Sequence, residues 1–352
     1  MASSRKAFSP DAIQASCIQK FWHLVCHRSS LPFHGSFFRF RLGHVDLFIH
    51  NNCGKLSCYL NSCPHRGARI VNGLSGDTPL QCPYHGWSFQ PSKTSVPRYD
   101  TFDLDVKDPR QARLHQWQIF EVAGFVFVSC DPVFSVQRQI GDDAFCRLQS
   151  YGESIHACHS SQSIDYSAPW MLAVENALES YHVPSVHPST LGLIGLEDGA
   201  NTFSDWSSSW QAASTSKKLI SSSRIIAKSI DIEERLEGYF SLYLFPFAML
   251  STTESLSFAL QVYQPSSCLQ DCNTTLRTSL YIPRIVNSAM RDPVMAFYDS
   301  SANMNRLIFE EDASISSLVP LESWDAEPLP YASSLESKIN HFRECCRRSI
   351  SV

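Results

Sequence analysis

Between Phe37 and Val128 the apolar residues come in short runs. Phe37–Arg41, Val45–His50, Lys55–Leu60 and Gly124–Ser129 each alternate over a few residues and are separated by Gly, Asn, Asp and Pro. Side chains on a strand change face with period two, and the separating residues are those that turn the chain, so the pattern predicts a small β-sandwich. The texture changes from about Tyr166. A helical period covers Met171–Tyr181, strand-like runs lie near Tyr239–Phe247, Ser257–Tyr263 and Thr275–Ile282, and long helical patterns cover Pro293–Ser317 and Ser334–Ser349. This predicts an α+β second half. Ser204–Ser223 carries Trp206 and Trp210 in a serine-rich context without a clear period and reads as a loop or a poorly ordered lid.

The composition fits that division. With 352 residues, 43% hydrophobic and 12% aromatic, the chain can bury a full core in one large or two medium domains, and disorder is excluded. A net charge of −5 without any Lys/Arg block removes the electrostatic footprint of a nucleic-acid binder. The longest apolar stretches, around Phe125–Val128 and Leu242–Leu250, fall far short of the ~20 residues of a membrane span. Met1–Pro10 has Arg5 and Lys6 but no apolar run after them, so no secretory leader is expected. Thirteen cysteines scattered through a large chain point to free thiols or metal ligands in a reducing, cytoplasmic setting. Cys345 and Cys346 read as ordinary thiols, and Cys158, between His156 and His159 in a polar serine-rich stretch, reads as part of a surface loop. There is no internal repeat, no GxGxxG and no P-loop, so neither a dinucleotide nor a nucleotide is expected to bind.

Candidate chemistry concentrates in two places. The first is Cys63-Pro-His65-Arg-Gly-Ala and Cys82-Pro-Tyr-His85-Gly-Trp, giving C-x-H, sixteen residues, then C-x2-H. By ligand tally alone a Cys₂His₂ set suits Zn²⁺. Zinc fingers, however, usually pair Cys with Cys and His with His. Here each segment offers one thiolate and one imidazole, the distribution needed when two cysteines hold one iron and two histidines another. Gly67, Gly86, Pro64 and Pro83 fit tight turns that bring backbone N–H groups toward such a centre.

These two boxes resemble the Rieske [2Fe–2S] signature of Rieske-type non-haem iron oxygenases, and the flanks Phe21–His27 and Gly124–Val128 resemble the same domain. The resemblance implies that Cys63 and Cys82 ligate one iron and His65 and His85 the other. It covers about Lys20 to Phe342. It implies an N-terminal all-β Rieske domain over residues 20–135, followed by an α+β catalytic domain over 136–352 that also takes in 1–19, an antiparallel sheet with helices of the START or helix-grip type.

The second place is Glu175-Asn-Ala-Leu-Glu179-Ser-Tyr-His182-Val-Pro-Ser-Val-His187-Pro. With Pro184 between them, His182 and His187 cannot share one uninterrupted helix face and read as a helix end followed by a loop. The segment resembles the D-x2-H-x4-H iron motif of the family, with Glu179 where Asp is more usual. A 2-His-1-carboxylate site needs one further ligand. By resemblance it comes from a late helix with an acidic pair, which makes Asp312 of Asn305–Ile315 the third ligand, with Glu310 and Glu311 as competitors. The family often continues this helix with Val-Gln, whereas Val319-Pro320 here implies an earlier end.

The resemblance further implies an enzyme, the terminal oxygenase (alpha) subunit, with a [2Fe–2S] cluster and a mononuclear Fe(II) that use O₂. Lacking flavin and nicotinamide motifs, it would take electrons from a separate NAD(P)H-dependent reductase or ferredoxin. A relay from His85 through Glu179 to His182 of the next subunit implies a closed homotrimer. Hydroxylation or oxidative demethylation of a small organic substrate is favoured over ring dihydroxylation, and a Rieske electron carrier is the non-enzyme alternative. Tyr239, Tyr243, Phe245 and Phe247 lie on one period-2 face and, with Trp206 and Trp210, are candidate substrate-pocket residues or core. With Glu179, these aromatics resemble oxygenases that cleave carnitine-like quaternary ammonium compounds, where rings hold the cation.

Overall fold

The computed structural model describes residues 9–90, 93–95, 112–197, 199–232, 235–267, 273–329 and 333–352; Arg5 and Lys6 lie outside them. The first half contributes β1 (His23–His27), β2 (Ser36–Leu42), β3 (Val45–Asn52), β4 (Lys55–Leu60), β5 (Ser75–Asp77), β6 (Ser88–Gln90), β7 (Lys93–Ser95), β8 (Gln116–Val122) and β9 (Phe125–Ser129). Seven form an antiparallel sheet in the order β1-β9-β8-β4-β3-β2-β5, and β6 and β7 pair as a hairpin. The second half contributes β10 (Ala157–Tyr166), β11 (Ala200–Phe203), β12 (Ser207–Ala212), β13 (Tyr239–Leu244), β14 (Ala248–Thr253), β15 (Phe258–Pro265) and β16 (Thr274–Ile282). These make a second antiparallel sheet in the order β10-β16-β15-β14-β13-β12-β11. The helices are α1 (Pro10–Lys20), α2 (Val136–Ile140), α3 (Asp142–Ser154), α4 (Trp170–Leu178), α5 (Val183–Val186), α6 (Lys217–Ala227), α7 (Arg291–Ser316) and α8 (Ser337–Ser349). An all-β half thus precedes an α+β half. Among the described residues no helix is long and apolar enough to cross a membrane.

Two expectations fail here. Ser204–Ser223 is no lid: it holds β12, an inner strand of the second sheet, and the first turns of α6. Ser207, Ser208 and Ser209 of β12 are buried, Ser207 Oγ donating to the Ile140 carbonyl at 2.7 Å, so polar side chains mask a strand that the ladder itself stabilises. Cys158 likewise lies in β10, not in a loop. This polar strand is an edge, paired only with β16 in the sheet and lying beside α7, where His159 Nε2 and Asp299 Oδ1 sit 3.0 Å apart.

The period-2 pattern of the second sheet gives it two faces. Phe240, Leu242, Leu244, Leu250, Phe258 and Leu260 pack with Leu148 and Tyr151 of α3 and with Leu24, Phe125 and Phe127 of the first sheet. The opposite face turns toward α4, α7 and α8. Buried polar bonds lock the halves together: Gln139 accepts from the Trp22 amide at 2.8 Å and donates to the Phe245 carbonyl at 2.9 Å, and Arg277 of β16 donates to the Arg39 carbonyl at 2.8 Å. α1 joins the second half, its Ser16 hydroxyl donating to the Ser349 carbonyl and its Cys17 sharing a core with Cys345 and Cys346, all three free thiols. On the far face, Arg343 of α8 makes two bonds to Glu175 of α4, at 2.7 and 3.0 Å, and the Trp324 indole donates to the same carboxylate. That buried pair fixes α4, and with it the segment that follows.

Candidate metal centres

The two Cys/His segments fold as near copies of one loop. The Cys63 amide donates to the Ala68 carbonyl and the Cys63 carbonyl accepts from the Gly67 amide, both at 2.8 Å; Cys82 does the same with Trp87 at 2.8 Å and Gly86 at 3.0 Å. Each loop closes through a glycine in the left-handed region, φ +71° at Gly67 and +68° at Gly86, which a side chain would strain. Both cysteines are buried in an apolar cluster with Phe37, Phe48, Tyr59, Trp87 and Phe89. The imidazoles stand at the protein surface with their Nδ1 atoms 3.2 Å apart, and the His65 ring is stacked on Trp87 at 4.9 Å. Two buried thiols behind two converging imidazole nitrogens make a donor set that fits a [2Fe–2S] cluster held by two cysteines and two histidines.

The second site is built where α4 stops. Glu179 leaves the helix in extended conformation (φ −109°, ψ 159°), and Pro184, at the start of α5, lets the chain re-enter a single helical turn flanked by His182 and His187. From the other side α7 presents Phe297, Ser301, Asn305, Ile308 and Asp312, spaced by three or four residues along one face. Asp312 Oδ1 lies 2.9 Å from His187 Nε2 and 3.6 Å from His182 Nε2, and it accepts from Asn176 Nδ2 at 2.7 Å. The three candidate ligand atoms all fall within 4.8 Å of one another.

The carboxylates behind the imidazoles complete the arrangement. Glu179 bonds His182 Nδ1 with one oxygen and accepts from the His182 amide with the other at 3.1 Å. Glu311 bonds His187 Nδ1 at 2.7 Å and accepts from the Thr190 hydroxyl at 2.6 Å. Each imidazole is thereby held with its proton on Nδ1 and its Nε2 toward Asp312. Burial alone would lower the histidine pKa values, but the carboxylate contacts outweigh it and hold His182 up to about 9 and His187 above the ordinary range. Burial raises Asp312, and the bonds from both histidines overcome this and hold it low. Three carboxylates around two imidazoles are an excess of negative charge that a divalent ion would offset. Donor types, convergence and charge all fit Fe(II) in a 2-His-1-carboxylate site.

The geometry thus separates the three acidic residues of α7. Asp312 is buried between the histidines, Glu311 sits behind His187, and Glu310 points outward to Arg306 at 2.6 Å. Neither Glu310 nor Glu311 is placed as a ligand. Sequence reasoning missed the supporting roles of Asn176, Thr190 and Glu311, since nothing in their spacing marks them. Outer partners of metal-bound histidines typically carry about 10–100-fold in metal affinity. Glu311→Gln is therefore expected to loosen iron by about that factor with the cluster unchanged, which competition with a calibrated Fe(II) chelator measures.

A cavity of about 340 Å³ opens over the triad between the second sheet and α7. It exists because the sheet face turned toward α7 carries small or polar residues, Ser241, Ser251, Ala259 and Gln261, where large side chains would fill the space. Of the aromatic candidates, Trp210 and Tyr239 line it, their rings 5.7 Å apart. Trp206, Tyr243, Phe245 and Phe247 do not; they belong to the core around Phe21, Trp170 and Phe342. The strand leads away from the cavity after Ser241, so one face serves the cavity at one end and the core at the other.

Comparison with known proteins bears on both halves. The model of the Rieske [2Fe-2S] domain matches residues 21–101 and that of the ring hydroxylating alpha subunit (catalytic domain) matches residues 156–351. The anthranilate 1,2-dioxygenase large subunit of Acinetobacter baylyi is 30% identical over 181 residues, 48% of this chain and 38% of that one. The carnitine monooxygenase oxygenase subunit of Escherichia coli is 25% identical over 252 residues, 70% of this chain and 64% of that one. The chain thus spans less than two thirds of the length of these relatives. A crystal structure of a quaternary ammonium Rieske monooxygenase in complex with L-carnitine superposes with a TM-score of 0.70 at 16% identity, covering 96% of this chain and 91% of that one, and shows the same fold.

Proposed function

Because the chain belongs to the ring hydroxylating alpha subunit family and carries a Rieske domain ahead of the catalytic domain, we propose that it is the oxygenase component of a Rieske non-haem iron enzyme that hydroxylates or oxidatively demethylates a small organic substrate. The observation that carries this reading is the presence in one chain of both donor sets, Cys63, His65, Cys82 and His85 on one side and His182, His187 and Asp312 on the other. An electron carrier needs only the first. When bound, the cluster and the iron supply electron storage and O₂ activation.

The residues of the chain set the conditions. Glu179 and Glu311 keep the proton of each imidazole on Nδ1, and Asn176 holds Asp312 between them. The mostly apolar cavity holds the substrate above the triad. His65 and His85 occupy the side of the Rieske domain open to an approaching partner, whereas the cysteines are shielded. On the outer side of Glu179 a wider depression, about 830 Å³, is lined by Tyr181, Pro184, Pro188 and Leu335. This supports a homotrimer in which the His85 side of one subunit docks against Glu179 of the next. The lack of flavin and nicotinamide motifs favours reducing equivalents from a separate NAD(P)H-dependent reductase or ferredoxin, and the scattered free cysteines favour a cytoplasmic setting.

The test is direct. The purified protein should show a Rieske electron paramagnetic signal, about three irons per chain, and O₂ uptake that depends on both reductase and substrate. About two irons per chain without coupled uptake would make it a carrier, and a colourless zinc protein would refute both.

A further inference from the structure

Lys338, the second residue of α8, lines the iron cavity and also the depression beside Glu179. It is only 7% exposed. Its Nζ stands 5.5 Å from the centre of the Trp210 ring. Among the described residues its ammonium has no hydrogen bond and no carboxylate within ion-pair distance; Glu179 acts on it only from farther away. Burial accordingly pulls its pKa down to about 8. The ammonium thus has a ring beside it and faces the two cavities, but no anion among the described residues pairs with it. The buried cation Arg343, by contrast, is paired with Glu175 at 2.7 Å.

We propose that Lys338 is the anchor for a carboxylate on the substrate, whose apolar body then extends along the cavity toward His182, His187 and Asp312. This deepens, and rests on, the oxygenase reading above. The chemistry of the cavity is consistent in sign. Its acidic members, Glu179 and Asp312, are engaged with the histidines, so Lys338 is the charged group with bonding capacity to spare. Ser251 and Gln261, joined by a bond from Gln261 Nε2 to Ser251 Oγ at 3.0 Å, form a polar stretch of its lining, and Trp210 and Tyr239 supply flat apolar walls. A volume of about 340 Å³ lies at the small end of organic-ligand sites. A purely cationic ligand would meet fixed positive charge on the same rings expected to hold it, so a quaternary ammonium compound fits only as a zwitterion with its carboxylate at Lys338.

Three probes of one ring size separate the possibilities: benzoate, benzamide and phenyltrimethylammonium, titrated calorimetrically into the anaerobic holoenzyme. Benzoate should bind at least tenfold more tightly than benzamide, with the cation weakest. Lys338→Met should cost benzoate at least tenfold and erase its advantage over benzamide, while Lys338→Arg should keep it; Lys338→Gln replaces the Met variant if that does not fold. No measurable binding of benzoate, equal binding of benzoate and benzamide, preference for the cation, or an advantage that survives in Lys338→Met each overturns the assignment. So does a Lys338→Met protein that binds all probes normally but no longer assembles, which would place Lys338 in a subunit contact. The cluster spectrum and iron count of the same samples keep the two readings apart: intact centres with no carboxylate preference sink this inference alone, and missing centres sink the oxygenase reading.

Discussion

Replacing Asp312 by alanine should take the protein from about three irons per chain to about two while the cluster spectrum stays unchanged. Asp312 is 6% exposed and, among the described residues, its carboxylate is the acidic group placed between both Nε2 atoms, at 2.9 and 3.6 Å. No neighbour can stand in for it. Glu311 lies on the Nδ1 side of His187, bonded to that nitrogen and to Thr190, and Glu310 is turned outward to Arg306. Alanine would leave two imidazoles and an asparagine amide facing an empty corner, a donor set short of one charge and one ligand. Turnover should fall to background. The cluster should survive because its loops belong to the other sheet and their closing bonds are internal to them. Metal analysis of wild type and variant, side by side with the visible and paramagnetic spectra, measures both halves of this expectation; equal iron content would return the third-ligand role to Glu310 or Glu311.

How much of this was legible beforehand differs from one element to the next. The strands β2, β3, β4 and β9 and the helix α7 stand within a residue or two of their sequence patterns; the strands are largely buried on both faces, so short apolar runs bounded by turn residues mark them. β10 and β12 were hidden because they are rich in serine: backbone pairing holds them in the ladder without an apolar period, and Ser161, His159 and Ser207 bond to neighbouring groups. α2 and α3 were not foreseen. The metal donors were legible because coordination demands residue types at tight spacing, and only the choice among Glu310, Glu311 and Asp312 required the helix in place. The cavity was legible only in part, through Trp210 and Tyr239. It depends on which members of a period-2 face sit opposite α7, so Tyr239 and Tyr243, two steps apart on one strand, end in different environments. Lys338 carried no signal in the sequence beyond the helical pattern Ser334–Ser349 and became informative only through its place between the two cavities.

Glu179→Gln is expected to retain the cluster and most of the mononuclear iron, yet to slow oxidation of the reduced cluster by O₂ plus substrate by two orders of magnitude or more. Its side chain is 8% exposed although it follows a helix end on the outer side of the site, so it is no solvated carboxylate. Both oxygens already work within the chain, one on His182 Nδ1 and one on the His182 amide. Glutamine has a single acceptor. It can keep the imidazole proton on Nδ1 or cap the amide, and its NH₂ group cannot accept a proton donor arriving from the depression on the other side. In the homotrimer proposed here that donor is the His85 imidazole of the neighbouring subunit, and a carboxylate shared between the two rings fixes both tautomers and holds the centres close. Glu179→Asp, one methylene shorter, should preserve the charge and part of the rate. Single-turnover stopped-flow on the reduced, substrate-loaded protein, with iron counted in the same samples, distinguishes this from a local structural role. Wild-type rates in Glu179→Gln would remove the residue from the path, whereas a slow rate that tracks loss of mononuclear iron would reduce its part to holding His182.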